Sequence, residues 1–423
     1  MRNYLFMRLP HRGAVVYQTQ WLPLQERLNN PDLELLFWLD AVQRDDSVTQ
    51  RDTYQAQINR MDSLVGEEAI EAEVQRFNGL SELLGRILDP STEPNGAVRD
   101  RLVRLRAWGT TTVYPLLLHL LERRSQGNAT DDEIARAMLR LEGYLVRRVI
   151  TGRATAGLNR VLLRAVPEIT GRAPADEALG SYLSVGRKFF ATDEQVRTGV
   201  LTTPFYFTGR SNQRKLVLTW LEEAFASKER VDPASCSIEH VLPQTLTPAW
   251  RAMLKEGLAD DESVSDVYDA LVHTIGNLTL TGYNSELGNK AFGAKRAAYA
   301  DSAFQMNHEI AKATTWGRSE IQTRAAALAA RIIETWPGPN ATAQPEPMRT
   351  SWGLMNRALA ELPPGSWTSY SAVAQFIGSH QVPVGQRIAN HAVPNGHRVL
   401  QVGGTVSPGF RWLADSVSTP GEN

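Results

Sequence analysis

The sequence predicts a mainly α protein with α+β parts, and three observations carry that expectation. Residues up to 226 are dominated by apolar positions at helical spacing. Between residues 227 and 336 the texture changes, and the short β-rich runs "CSIEH" and "IGNLTLT" alternate with helical stretches. Past the segment "PGPNATAQPEP", residues 337–347, a last module at 348–423 reads as helix, turn, helix, turn, helix and hairpin.

In the first region, Pro115 suits the first turn of a helix whose "LLLHLL" run reads as buried nearly all round. The stretch "TDDEIARAMLRLEGYLVRRVI" opens with Thr130 as N-cap and Glu133 three residues on, the pattern of a capping box. Ile134, Met138, Leu141, Leu145 and Val149 then form one apolar stripe, which predicts core. In the middle region, "NSELGNKAFGAKRAAYA" predicts a helix from near Asn284, and "SEIQTRAAALAARIIETW" predicts another. The Pro-rich segment has a linker's composition, because it is semi-extended and poor at burying surface. In the last module Leu354, Ala358 and Leu362 share one helical face. Ser369 or Ser371 can cap a second helix that Gly378 ends, "VGQRIANHA" is a third, and Gly403-Gly404 suits the turn of a hairpin.

Composition narrows the function classes. With 423 residues the chain has room for several domains. Its 45 Lys plus Arg balance 46 Asp plus Glu, so any nucleic-acid surface must come from local clustering and not from net charge. The single cysteine, Cys236, excludes an internal disulfide framework and a Cys-based zinc site, and fits a reducing compartment. No apolar run approaches the ~18 residues of a membrane span, and no secretory pattern opens the chain, so a cytoplasmic location with no membrane partner is expected.

The chemistry concentrates at the end of "CSIEH", where Glu239 and His240 stand side by side before Pro243 breaks the strand. Such a pair can be a metal ligand beside a general base, or two polar residues at a strand end. Downstream lies a second strand with Asn277, then Asn284 and Asn289 at the head of a basic helix. Acid-His on one strand, Asn on the next and Asn on a helix is the order of a ββα-metal, or HNH, nuclease site. Its chemistry needs those parts. A hard divalent cation, Mg²⁺ or Mn²⁺, takes oxygen from a carboxylate and an amide, while a neutral imidazole deprotonates water. Asn277 can instead be a loop-stabilising amide. His273 reads as structural or phosphate-proximal, and Trp250 as packing. Lys290, Lys295 and Arg296 can hold phosphates, or form a solvated helix face.

The string "IEHVLPQ", then Trp250, then "IGNLTLTGYNSELGNKAFGAKR" resembles the C-terminal HNH-like nuclease domain of GmrSD-type, type IV restriction enzymes, which carries an H-x-x-P signature. His240-Val-Leu-Pro243 fits that signature. The resemblance implies His240 as general base, Glu239 as its metal-ligand neighbour, Asn277 as the second-strand Asn and Asn284 as the helix-start Asn, with Asn289 next. The span from Asn277 to Asn284 is shorter than the family's, so Asn284 and Asn289 both stand as candidates for the metal. The helical first part, including "YPLLLHLLERR" and the stretch carrying Arg147, Arg148 and Arg153, also resembles the family. Neither a DGQQR-type motif nor a G-x-x-x-x-G-K-[ST] loop occurs, so NTP hydrolysis is not expected of this chain. An NTP-binding half is expected as a separate subunit or as a missing N-terminal part.

The last module resembles the DNA-binding domain of alkylguanine-DNA alkyltransferases, and more closely the alkyltransferase-like proteins. "PPGSWTSYSAVAQFIG" matches a family stretch that places Tyr370 on the tyrosine that helps rotate a base out of the duplex. "NGHRV" falls on the family's P-C-H-R-V motif, with Gly396 where the nucleophilic Cys stands and His397 and Arg398 after it. Alkyl transfer needs a thiolate, so the resemblance implies a chemically dead pocket in a winged helix-turn-helix. The family's arginine finger falls on Val382, and Gln386 or Arg387 can contact DNA from the third helix.

The expected architecture is therefore a helical domain (1–226), an HNH-like ββα-metal nuclease domain (227–336), a linker (337–347) and an alkyltransferase-like winged-helix DNA-binding domain (348–423). The expected function is a metal-dependent DNA endonuclease of a prokaryotic anti-phage system, acting on double-stranded, modified phage DNA. The competing expectation is a non-catalytic sensor of modified DNA that recruits or regulates a partner nuclease or NTPase. A repair alkyltransferase is argued against by Gly396.

Overall fold

A computed structural model describes residues 1–153, 157–186, 188–225, 235–256, 258, 262–340, 352–363, 365–377, 379, 381–390, 393–401 and 404–405. The chain is mainly helical, with a few short strands among the described residues. By packing it divides into two units. The first comprises Met1–Tyr144, Thr155–Lys188 and Pro339–Gln344, and the second Leu145–Ala154, Phe189–Gly338 and Pro345–Asn423. The sequence boundary at 226/227 therefore differs from the packing, which joins residues from Phe189 onward to those after them.

The first unit is helical among its described residues. Helix Tyr114–Ser125 begins with Pro115 in its first turn and is buried on nearly every side, as its apolar run requires. Helix Asp131–Ile150 starts where Thr130 Oγ1 accepts the Glu133 N–H at 3.3 Å, and its stripe residues Ile134, Met138 and Leu141 are buried. Polar side chains that reach the interior are paired. Glu142, for example, accepts from Arg101 at 2.9 Å and from Arg104 at 3.0 Å.

The second unit holds the residues singled out from the sequence. In chain order its elements are α1 (Asp193–Thr202), α2 (Ser211–Glu223), β1 (Ser237–His240), α3 (Pro248–Lys255), α4 (Val264–Leu271) and β2 (Leu278–Thr281). Then come α5 (Asn284–Leu287), α6 (Phe292–Ala300), α7 (Gln305–Ala311) and α8 (Arg318–Thr335). Strands β1 and β2 pair antiparallel with Ser237 opposite Thr281 and His240 opposite Leu278. All four residues of β2 are buried, so the ladder is covered and not exposed on one face. The core beside it is built on Trp250, Phe292, Trp316 and Leu254, with Phe292 stacked on Trp316 at 5.6 Å.

Two features lock the turn that feeds β2. Gly276 lies so close to α8 that an added Cβ would stand 2.5 Å from the Ile321 carbonyl oxygen. Buried Arg324 on α8 donates from one nitrogen to the carbonyls of Ile275, Gly276 and Leu278 at 3.2, 2.8 and 2.9 Å. Arg324 makes no salt bridge among the described residues, so its guanidinium is used as a backbone clamp. Arg147 also clamps backbone in this unit, donating to Trp336 O and Ala191 O, but it differs in pairing with the Asp193 carboxylate at 2.8 Å.

The single helix expected from Asn284 is two. Helix α5 ends at Leu287, Gly288 takes φ 41°, and α6 starts at Phe292. Glycine's freedom at positive φ makes the break, and it leaves Asn289 and Lys290 in a connection.

The C-terminal module has its own core of Met355, Leu359, Val373, Ile377, Val384 and Ile388. Helices α9 (Trp352–Ala360), α10 (Tyr370–Ile377) and α11 (Gln381–Asn390) follow the expected order. The strand Val399–Leu400 (β4) pairs parallel with Thr368–Ser369 (β3), a pairing absent from the sequence expectation. Across the expected hairpin turn Gln401 N donates to Thr405 O at 2.8 Å, while Gly403 of that turn, the return strand past Thr405, Gly378 and linker residues 341–347 lie outside the described residues. No helix among the described residues is long and apolar enough to cross a membrane.

Candidate active site

Alternation along β1 sends Ser237 and Glu239 to one side and Ile238 and His240 to the other. Glu239 and His240 are both buried. Glu239 Oε1 accepts from Lys295 Nζ at 2.6 Å, and the same ammonium donates to the His240 carbonyl at 2.7 Å. Lys295 on α6 is fully buried. It is therefore an internal partner of the acid, which corrects the expectation of a phosphate-binding or solvated side chain. Burial pushes the Glu239 carboxyl up and the Lys295 ammonium down, and each is opposed by the other's charge.

His240 closes the strand with its ring against His273, Nε2 to Nδ1 at 3.2 Å. Its pKa falls to about 3, first by burial and then by the neighbouring His273 and Lys295. His273 falls to about 4 through burial. Both imidazoles are therefore neutral near pH 7. Tyr206 stacks on His273 at 5.8 Å between centroids and meets His240 edge-on at 4.5 Å, while Phe207 meets His273 at 4.4 Å. The Tyr206 N–H donates to the His273 carbonyl at 3.1 Å. These two aromatics come from a 3-10 turn, Phe205–Phe207, in a stretch assigned from sequence to the helical domain. The cluster "PFYF" between two helices was the signal that could have marked them.

Asn277 has its amide committed. Oδ1 accepts from Leu242 N at 2.7 Å and from Trp316 Nε1 at 3.0 Å, while Nδ2 donates to Leu242 O and Val272 O at 2.9 and 2.8 Å. Of the two roles the sequence allowed, this is the geometry of the loop-stabilising amide, and it fixes the chain leaving His240. Asn284 sits on the Glu239 side of β1, with Nδ2 donating to Ser237 Oγ at 3.2 Å and to Ile238 O at 3.1 Å. Its Oδ1 makes no hydrogen bond among the described residues.

A carboxylate and an amide oxygen on one side of a strand suit a hard divalent cation. Among the described residues no three His, Cys, Asp or Glu converge, so such an ion would rely on water and phosphate oxygens for the rest of its shell. Glu239 and Asn284 are the residues that could hold such an ion, with Glu239 already sharing one oxygen with Lys295.

The remaining residues have other surroundings. Asn289 and Lys290 are exposed, the Lys290 carbonyl accepts from Trp250 Nε1 at 3.0 Å, and Trp250 is buried packing. Arg296 is exposed and donates to Ala311 O at 2.9 Å. In the C-terminal module Tyr370 is buried, Gln386 is exposed, and Arg387 lies 5.8 Å over the Trp352 ring. Gly396 is buried in a 3-10 turn with His397, and Arg398 donates to Leu362 O and Pro363 O at 3.3 and 3.2 Å. Arg398 is thus tied to its own module's loop.

Residues 190–331 match a family described as GmrSD restriction endonucleases, C-terminal domain. That span contains Tyr206, Glu239, His240, His273, Asn277, Asn284 and Lys295. The match supports a function related to restriction endonucleases, with nuclease activity and DNA as the substrate class. No curated protein matches the chain.

Proposed function

We propose that the chain is a divalent-metal-dependent DNA endonuclease of a prokaryotic anti-phage system of the type IV, modification-dependent kind. One observation carries the reading: within the matched span, a buried, neutral imidazole closes a strand at the position next in sequence to a buried carboxylate. In this reading β1, β2 and the helices after them are an HNH-like ββα-metal site. His240 takes a proton from water, the resulting hydroxide attacks phosphorus, and the P–O bond to the leaving sugar oxygen breaks as that oxygen takes a proton from a solvent water. Mg²⁺ or Mn²⁺ bound through Glu239 and Asn284, with Asn289 nearby in sequence, would supply positive charge to the leaving oxygen. Asn277 holds the loop after His240, and Lys295 holds the carboxylate of Glu239 in place.

The module at 348–423 is proposed to read DNA through Tyr370, Gln386 and Arg387 around the Gly396-His397-Arg398 pocket. An NTP-binding partner, as a subunit or a further part of the chain, belongs to the same proposal, as does a cytoplasmic setting. The Glu239–Lys295 pair favours one competing reading. A carboxylate already neutralised by an ammonium also suits a non-catalytic sensor of modified DNA that hands the chemistry to a partner.

Incubating the purified chain with modified and unmodified phage DNA, with divalent metal and nucleotide each varied, separates the two. Metal-dependent cleavage of modified DNA is expected. Modification-dependent binding without cleavage under every metal and nucleotide would establish the sensor instead.

A further inference from the structure

We propose that His273 is a positioning residue that holds the His240 ring and sets its tautomer, so that Nδ1 of His240 is the atom left to accept a proton from water. The inference rests on the nuclease reading and deepens it.

Nε2 of His240 and Nδ1 of His273, 3.2 Å apart, can share only one hydrogen, and an imidazole that donates from one nitrogen keeps its lone pair on the other. With the hydrogen on His240 Nε2 and His273 Nδ1 accepting it, Nδ1 of His240 is basic. That atom has no hydrogen-bond partner among the described residues. The acceptor must itself be immobile to be useful, and His273 is held on three sides. Its carbonyl accepts from Tyr206 N, the Tyr206 ring stacks on it at an interplanar angle of 18°, and the Phe207 ring meets it edge-on. The ring centroids lie 5.3 Å apart with Nε2 and Nδ1 at 3.2 Å, so the nitrogens meet at the ring edges, where the in-plane N–H and lone pair lie. A neutral acceptor here orients the base without the added charge of a carboxylate.

The test uses the full chain, supercoiled plasmid DNA and Mn²⁺ under single turnover, with DNA affinity measured separately. In His273→Asn the side-chain oxygen takes the place of Nδ1. In His273→Phe the ring contacts to Tyr206 and Phe207 remain but the acceptor is lost. The Asn variant is expected to cleave within about threefold of the parent and the Phe variant on the order of 100-fold more slowly, with DNA affinity unchanged in both. His273→Gln, whose oxygen sits one bond too far out, is expected to behave as the Phe variant, and keeps the comparison open should Phe fold poorly. A merely structural His273 predicts the reverse order, because Phe preserves the packing. Parental cleavage by the Phe variant, or equal loss in Asn and Phe, overturns the proposal. His240→Ala run alongside separates the two failures. Parental cleavage by that variant, or no cleavage by the parent, overturns the nuclease reading and this inference with it.

Discussion

Replacing His240 with alanine is expected to slow DNA cleavage by about 10²–10⁴-fold while leaving DNA binding intact, the loss typical of removing a general base. The expectation comes from burial and charge. His240 is neutral near pH 7 because burial, His273 and Lys295 all oppose its protonation, so it is available as a base without first losing a proton. Cleavage and gel-shift assays on one preparation check both halves of the statement. Cleavage by His240→Ala at the parental rate would leave the site without its base.

Lys295→Ala is the second large effect, and its expected readout is stability. The ammonium is fully buried, bridges Glu239 Oε1 and the His240 carbonyl, and has no solvent to replace it. Removing one member of a buried ion pair leaves the other charge unpaired, which costs about 3–5 kcal/mol. Thermal or denaturant unfolding of the parent and variant measures it. The double change Lys295→Met with Glu239→Gln is expected to recover most of the loss, because neither charge is then stranded. A phosphate-binding lysine behaves differently: its removal leaves stability unchanged and lowers DNA affinity and its salt dependence. That outcome would return Lys295 to the surface role its sequence context suggests.

The contrast shows where sequence reading ends. "AKRAA" presents Lys295 and Arg296 as equivalent cations, yet one faces the core and the other solvent. Helix phase decides between them, and Gly288 resets that phase by splitting the expected helix. Periodicity was reliable where an apolar stripe is long, as in Asp131–Ile150 and Arg318–Thr335. Glu239, His240, Asn277 and Asn284 stood out in the sequence because their order along the chain is itself a pattern. The roles within that set were not. Asn277 is consumed by four hydrogen bonds to backbone and to Trp316, and such saturation depends on neighbours far along the chain. Tyr206 and Phe207 were missed because the helical texture before them hid that the segment from Phe189 onward belongs to the second unit.

The most direct measurement of the central claim is conversion of supercoiled plasmid by the purified chain, with Mg²⁺ or Mn²⁺ and with EDTA. Nicked or linear product that forms with the metal and disappears with EDTA is the predicted result. Intact plasmid under every divalent metal, with DNA binding retained, would contradict it.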